Sequence, residues 1–327
     1  MVDMKNSTLI IAGVSILVVG GFFFVAHPFL SSIKEVKPSG SLVSTREGEP
    51  EFFLKNISGF DLEDLTASSG RSKTRTQTTP SGSSTNDTFS SNSIIEEINA
   101  MSLSTSNRWW VNSGGRFIIA DGLGKTIQGD LPAADPWYKE YVGSSPEDTD
   151  NGLHPQNIFR LVEKESWKSY TQQFYFNINK MNLSASPNRN ASNGVFLFNR
   201  YQSGDNLYYT GIRVDGAVVI KKKYQGVYYT MAYKKILSGT YDLASSPNLL
   251  PVSRWYGVKS QLKDLSDGSV EIKFFTDEGK TGTWTEVLSV IDKPGLYGSA
   301  VISNAGYAGI RTDFMDVSFD DYLIKSL

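Results

Sequence analysis

The run LYYTGIRVDGAVVIKKKYQGVYYTMAY, Leu207 to Tyr233, constrains the fold more than any other part of the chain. Val, Ile, Tyr and Thr dominate it, and two Gly-centred turns interrupt it. Asp215-Gly216 supplies the positive φ angles that a tight primed hairpin turn requires, and Gln225-Gly226 repeats the device. No nearby segment carries the 3.6-residue period of an amphipathic helix, so the run predicts a β-meander within a sandwich or barrel.

The chain from Trp109 onward continues in the same way, with GRFIIADG, YTQQFYFNI, GVFLFNRY, WYGVKSQLK, VEIKFFTD and MDVSFDDYLI all bounded by turn-forming residues. In GVFLFNRY, Val195, Leu197 and Asn199 alternate with Phe196, Phe198 and Arg200. Both faces are largely apolar, which predicts a central strand. In VEIKFFTD, Val270, Ile272 and Phe274 alternate with Glu271 and Lys273, which predicts a strand with one wet face. Together these patterns predict an all-β fold of two packed antiparallel sheets.

Composition adds bounds. The 327 residues carry a formal net charge of −2, so no field of one sign points to nucleic acid as a partner. There is no cysteine, which removes disulfides, thiol nucleophiles and thiolate metal sites. LIIAGVSILVVGGFFFVAHPFL, residues 9–30, has the length and apolarity of a membrane-spanning helix behind a short tail at 1–8. It predicts a single-pass signal-anchor at the cell membrane, with the C-terminal domain extracytoplasmic. The charges flanking it do not set the orientation by themselves. Residues 31–65 form a stalk of unassigned structure. The Ser/Thr-rich stretch at 66–93 has too little apolar surface to offset its ordering entropy and predicts a flexible tether. The folded domain is expected over 94–327.

The opening W…GGRFIIADG, the central GVFLFNRYQSGDNLYYTGIRVDGAVVIKKK, then RWYGVKSQLK, VEIKFF and the closing GYAGIRTDFMDVSFDDYLI resemble the concanavalin A-like lectin/glucanase jelly rolls, particularly their laminin-G-like members. The resemblance runs from about Trp109 to Leu327. It implies a two-sheet antiparallel jelly roll and a role among lectins, carbohydrate-binding modules, adhesion domains, glycoside hydrolases or polysaccharide lyases. It also implies a structural calcium ion held through Asp320, with no cofactor required.

The motifs of catalysis on this fold are missing. No Glu-x-Asp-x-x-Glu strand is present to place two carboxyls about 5 Å apart across a glycosidic bond, and the alginate-lyase triplets are absent. Glu147, Asp148 and Asp150 lie in a Ser/Pro/Gly-rich loop that predicts a solvated turn, and His154 precedes Pro155 in a loop. Metal-protease, phosphate-loop and nucleophile-elbow motifs are also lacking. Sugars are bound by aromatic planes, planar polar groups and cations. Alternation places Tyr209, Gly211 and Arg213 on one face of their strand and Tyr208, Thr210 and Ile212 on the core face. A concave ligand-binding face is therefore expected from Arg200, Tyr209, Arg213, Lys221, Lys223 and Tyr229. The resulting expectation is non-catalytic carbohydrate binding by a membrane-anchored surface protein. A hydrolase or lyase on the same face is the alternative, and a structural or adhesion role in the envelope the third. Trp284 is expected between the sheets, and Asn56, Asn86, Asn182 and Asn190 begin glycosylation acceptor patterns.

Overall fold

The β-rich runs become sixteen strands in the computed structural model, which describes residues 83–327. The anchor, the stalk and the tether up to residue 82 lie outside the described residues. In chain order the strands are β1 (Ser84–Asp87), β2 (Ser93–Glu96), β3 (Trp109–Ser113), β4 (Arg116–Ala120), β5 (Leu123–Lys125), β6 (Ile158–Trp167), β7 (Tyr170–Met181) and β8 (Gly194–Ser203). They continue as β9 (Asn206–Arg213), β10 (Ala217–Tyr224), β11 (Val227–Lys235), β12 (Trp255–Asp264), β13 (Val270–Glu278), β14 (Thr285–Asp292), β15 (Gly306–Asp313) and β16 (Met315–Ser326). One α-helix, α1 (Pro136–Ser144), interrupts them, capped by the Asp135 carboxylate, which accepts from Trp137 N at 2.8 Å.

A seven-stranded sheet has the order β11-β10-β9-β8-β15-β6-β3 and a nine-stranded sheet the order β14-β13-β12-β7-β16-β5-β4-β2, with β1 also paired to β16. Every pairing between these strands is antiparallel. The two-sheet sandwich expected from the sequence is thus the fold, and β8 is central in its sheet as its two apolar faces predict. Between the sheets, Val195, Leu197, Tyr208 and Ile212 meet Phe174, Phe176, Val258, Phe274 and Phe319 in one continuous core. Full burial of each such side chain contributes roughly 1.5–3 kcal/mol.

The domain begins earlier than its composition suggests. Ser84–Asp87 pairs with Tyr322–Lys325 of β16, and Phe89, the one aromatic of the Ser/Thr-rich stretch, is buried edge-on against Phe117 with ring centres 5.6 Å apart. Asp87 Oδ2 accepts from Trp109 Nε1 at 2.8 Å. A strand added to a sheet needs backbone hydrogen bonds and one anchoring ring, neither of which registers as apolar composition. Asn182 is also tied into the fold, being 2 % exposed with its amide donating to Asn157 and Asp316, and it is closed to glycosylation.

Gly309 of β15 shows how tightly the seven-stranded sheet is built. A Cβ there would lie 2.4 Å from the Leu161 carbonyl oxygen of the neighbouring strand and 3.2 Å from the Phe198 ring. The backbone atom cannot rotate away as a side chain could. Gly309→Ala is therefore expected to lower stability by about 3 kcal/mol, measured by urea unfolding; a loss near zero would mean that β6 and β15 separate freely.

Candidate functional site

Because side chains alternate along a strand, every residue of the seven-stranded sheet that does not enter the core belongs to its outer face. Cross-strand register defines two rows on that face. One runs Lys221, Tyr209, Phe198, Gly309, Val162, Trp110, and the other Val219, Gly211, Phe196, Arg311, Arg160. Trp110, Val162, Phe196, Phe198, Leu207, Tyr209 and Val219 form a second apolar cluster, with Tyr201, Tyr228 and Tyr307 half-buried against it. The rings interlock: Phe198 stacks on Tyr201 at 5.6 Å and meets Tyr209 edge-on at 5.4 Å, and Tyr209 lies 6.1 Å from Tyr228.

Cations are set into this aromatic face. The Arg311 guanidinium lies 5.5 Å from the centres of both the Phe196 and Tyr209 rings, and its Nε donates to Asp313 Oδ1 at 2.8 Å. Burial opposes its charge, but the Asp313 carboxylate together with the neighbouring Tyr209 and Tyr228 phenols outweighs it, so its pKa is raised. Burial raises the Tyr209 phenol well above its usual range and pushes the Tyr201 phenol up to about 12, so both remain neutral hydrogen-bonding groups at physiological pH. Lys223 Nζ sits 5.0 Å over the Tyr228 ring and 3.2 Å from Asp205 Oδ1.

Of the residues expected on a ligand-binding face, Tyr209, Arg213, Lys221 and Lys223 share the outer face as alternation predicts. Lys223 is half-buried at its margin, whereas Tyr209, Arg213 and Lys221 are 4–6 % exposed. Arg213 Nη2 pairs with Asp215 Oδ2 at 3.0 Å, and its Nε donates to the Ala191 carbonyl. Two residues belong elsewhere. Arg200 has φ +48°, at the irregularity where β8 slips register against β9, and such a bulge sends a side chain to the opposite face. Its guanidinium is fully buried, bonded to the Lys168 and Ile302 carbonyls and to Asp264. Tyr229 faces the inter-sheet core, because the two-residue Gln225-Gly226 turn sets Lys223 opposite Tyr228 and core-facing Lys222 opposite Tyr229. Tyr228, Tyr201 and Tyr307 are the tyrosines that the outer face offers instead.

The residues present do not fit the calcium site implied for Asp320. Its Oδ2 takes the Lys280 ammonium, which also lies 3.1 Å from Asp321, and the Asp321 amide donates to Asp320 Oδ1. A cation therefore already stands between the two carboxylates. Among the described residues no three acidic or imidazole groups converge as a metal site would require.

The acidic loop is not a solvated turn. Asp148 Oδ1 accepts from Ser186 and Asn188, Asp150 accepts from Ser184 and Asn157, and the His154 ring lies between Asp150 and Asp130 at 2.7 and 2.9 Å. Trp284 lies against Tyr175 at 5.4 Å with the Lys259 ammonium 4.5 Å over its ring, on the outer side of the nine-stranded sheet rather than between the sheets.

No family model matches the chain, and no curated protein matches it. Among solved structures it is similar to the carbohydrate binding module CBM66 from Bacillus subtilis, with 14 % identity over 68 % of this chain and 99 % of that one and a TM-score of 0.42. It is also similar to a Bacillus licheniformis beta-glucanase, with 8 % identity over 76 % of this chain and 100 % of that one, TM-score 0.40. A third is the Ca2+-bound exoplasmic/lumenal domain of VIP36, with 9 % identity over 71 % of this chain and 89 % of that one, TM-score 0.37. These are likenesses of fold, and function has to be argued from the residues of the face.

Proposed function

We propose that this chain is a membrane-anchored surface protein whose β-sandwich binds carbohydrate without turning it over. The observation that carries the proposal is the half-buried trio Tyr201, Tyr228 and Tyr307 beside Lys223, backed by the buried rings of Phe198 and Tyr209. Tyr201 and Tyr307 are direct cross-strand partners, so two phenol-bearing planes stand side by side on rigid strands. Rings held in this way lose little side-chain freedom when a sugar stacks on them. The carboxylates bordering the face, Asp205, Asp215 and Asp313, are each paired with a cation, which favours recognition over hydrolysis.

The test is a glycan and polysaccharide binding screen of the full chain in detergent, with product analysis on every ligand retained. Bound, unmodified ligand is expected. Tyr201→Ala with Tyr307→Ala is expected to weaken binding by about tenfold or more, since a 1.4 kcal/mol loss is tenfold. New reducing ends or unsaturated products would make the protein an enzyme instead. Retained binding in the double variant would move the site away from these tyrosines. The anchor is tested separately, by whether deleting residues 9–30 releases the chain from the membrane fraction.

A further inference from the structure

Three consecutive lysines, Lys221 to Lys223, cannot all leave a strand on the same side. Alternation sends Lys222 between the sheets, where a lysine survives only with a partner. Its Nζ lies 2.9 Å from Asp292 Oδ2, both side chains are fully buried, and Nζ also donates to the Ala300 carbonyl at 2.5 Å. Tyr208 donates its hydroxyl to the same Asp292 oxygen at 2.5 Å and is itself held by the Ile302 amide at 3.1 Å. The other carboxylate oxygen, Oδ1, is buried without a hydrogen-bond partner.

As an ion pair this arrangement is poorly compensated, with two charges removed from water and one acceptor left bare. A neutral amine beside a carboxylic acid, with the proton on Oδ1, the oxygen that has no donor, is what condensation requires. We propose that Lys222 and Asp292 condense into an intramolecular isopeptide bond.

The Nζ lone pair attacks Asp292 Cγ, and the Tyr208 hydroxyl stabilises the negative charge that develops on Oδ2. The tetrahedral centre collapses as the C–Oδ1 bond breaks. Oδ1, already carrying one proton, takes the second from Nζ and leaves as water. The remaining amide keeps the two hydrogen bonds already in place, Oδ2 accepting from Tyr208 and Nζ–H donating to Ala300. The orphaned oxygen is the atom that departs. No oxidant or metal is needed, because an ammonium and a carboxylate become an amide and one water. The bond would join β10 of the seven-stranded sheet to β14, the edge strand of the other, in a chain with no cysteine to make such a link.

The test is a proteolytic digest of the denatured, full-length wild-type protein, read by mass spectrometry. A branched peptide joining the Lys222 and Asp292 segments is expected, lighter than their sum by one water. Asp292→Ala is expected to abolish it, and Tyr208→Phe to leave a fraction unlinked that declines on incubation. Recovery of the two wild-type segments only as separate linear peptides of full mass overturns the proposal, whether or not any variant folds.

Discussion

Replacing Arg200 by alanine is expected to lower the unfolding free energy by about 3–5 kcal/mol, the cost of removing one partner from a buried charged network. Nε and Nη2 both donate to the Lys168 carbonyl, at 2.9 and 2.6 Å, and Nη1 donates to the Ile302 carbonyl at 2.8 Å. Asp264, which is 30 % exposed, takes Nη2 at 2.6 Å. Water can re-solvate Asp264, so most of the loss falls on the buried bond to the Ile302 carbonyl, on the paired donors to the Lys168 carbonyl and on the volume vacated. Arg200→Lys is expected to recover little, because one ammonium cannot fill a planar fork that reaches three acceptors. Urea unfolding of both variants at unchanged m-value is the measurement. A loss below about 1 kcal/mol, the range of an exposed ion pair, would return Arg200 to the list of ligand-binding candidates.

Arg200 also marks where the sequence stops being legible. Up to Asn199, strict alternation assigns faces correctly. Val195 and Leu197 enter the core, Phe196 and Phe198 the outer cluster, and Tyr208 and Tyr209 divide as their positions demand. That signal is local and survives because an unbroken strand has period two. A bulge adds one residue and inverts every assignment beyond it, and its position depends on the partner strand rather than on the residues themselves. Arg200 stands at such an irregularity and so leaves the face that alternation predicts, whereas Tyr229 departs from its expected face because the hairpin register sets it opposite core-facing Lys222. Arg311 was legible as part of a β-strand, but its place over Phe196 and Tyr209 required knowing that β15 inserts between β6 and β8, a pairing between segments far apart in the chain. Phe196 and Phe198 carried the missed clue. Two large rings on the non-core face of a central strand announce a second apolar surface, and the aromatic rim was to be sought beside them.

Glu163 supplies the second large effect, and its sign can be worked out from its surroundings. The carboxyl is 2 % exposed and accepts from Trp167 Nε1 at 2.7 Å. Burial raises its pKa from 4.5 to about 7, and the Trp167 hydrogen bond and the charge of Arg108 only partly oppose the shift. The folded state thus holds the proton more tightly than the unfolded chain. Between pH 4.5 and about 7, folding takes up a proton at this position, so stability falls as pH rises through that window. Above it the desolvation cost of the charged form is fully present, on the order of 3 kcal/mol. Glu163→Gln keeps an oxygen to accept from Trp167 and removes the charge. The variant is expected to exceed the wild type in stability by that order at pH 8, and to match it once the pH falls below 4.5. The two urea-unfolding profiles should therefore converge on acidification, with the wild-type slope lost in the variant. Parallel profiles across the window would show that Glu163 keeps its charge in the core, held there by Arg108, whose Nη1 already donates to the Asn86 carbonyl and whose guanidinium lies 5.1 Å from the Trp109 ring.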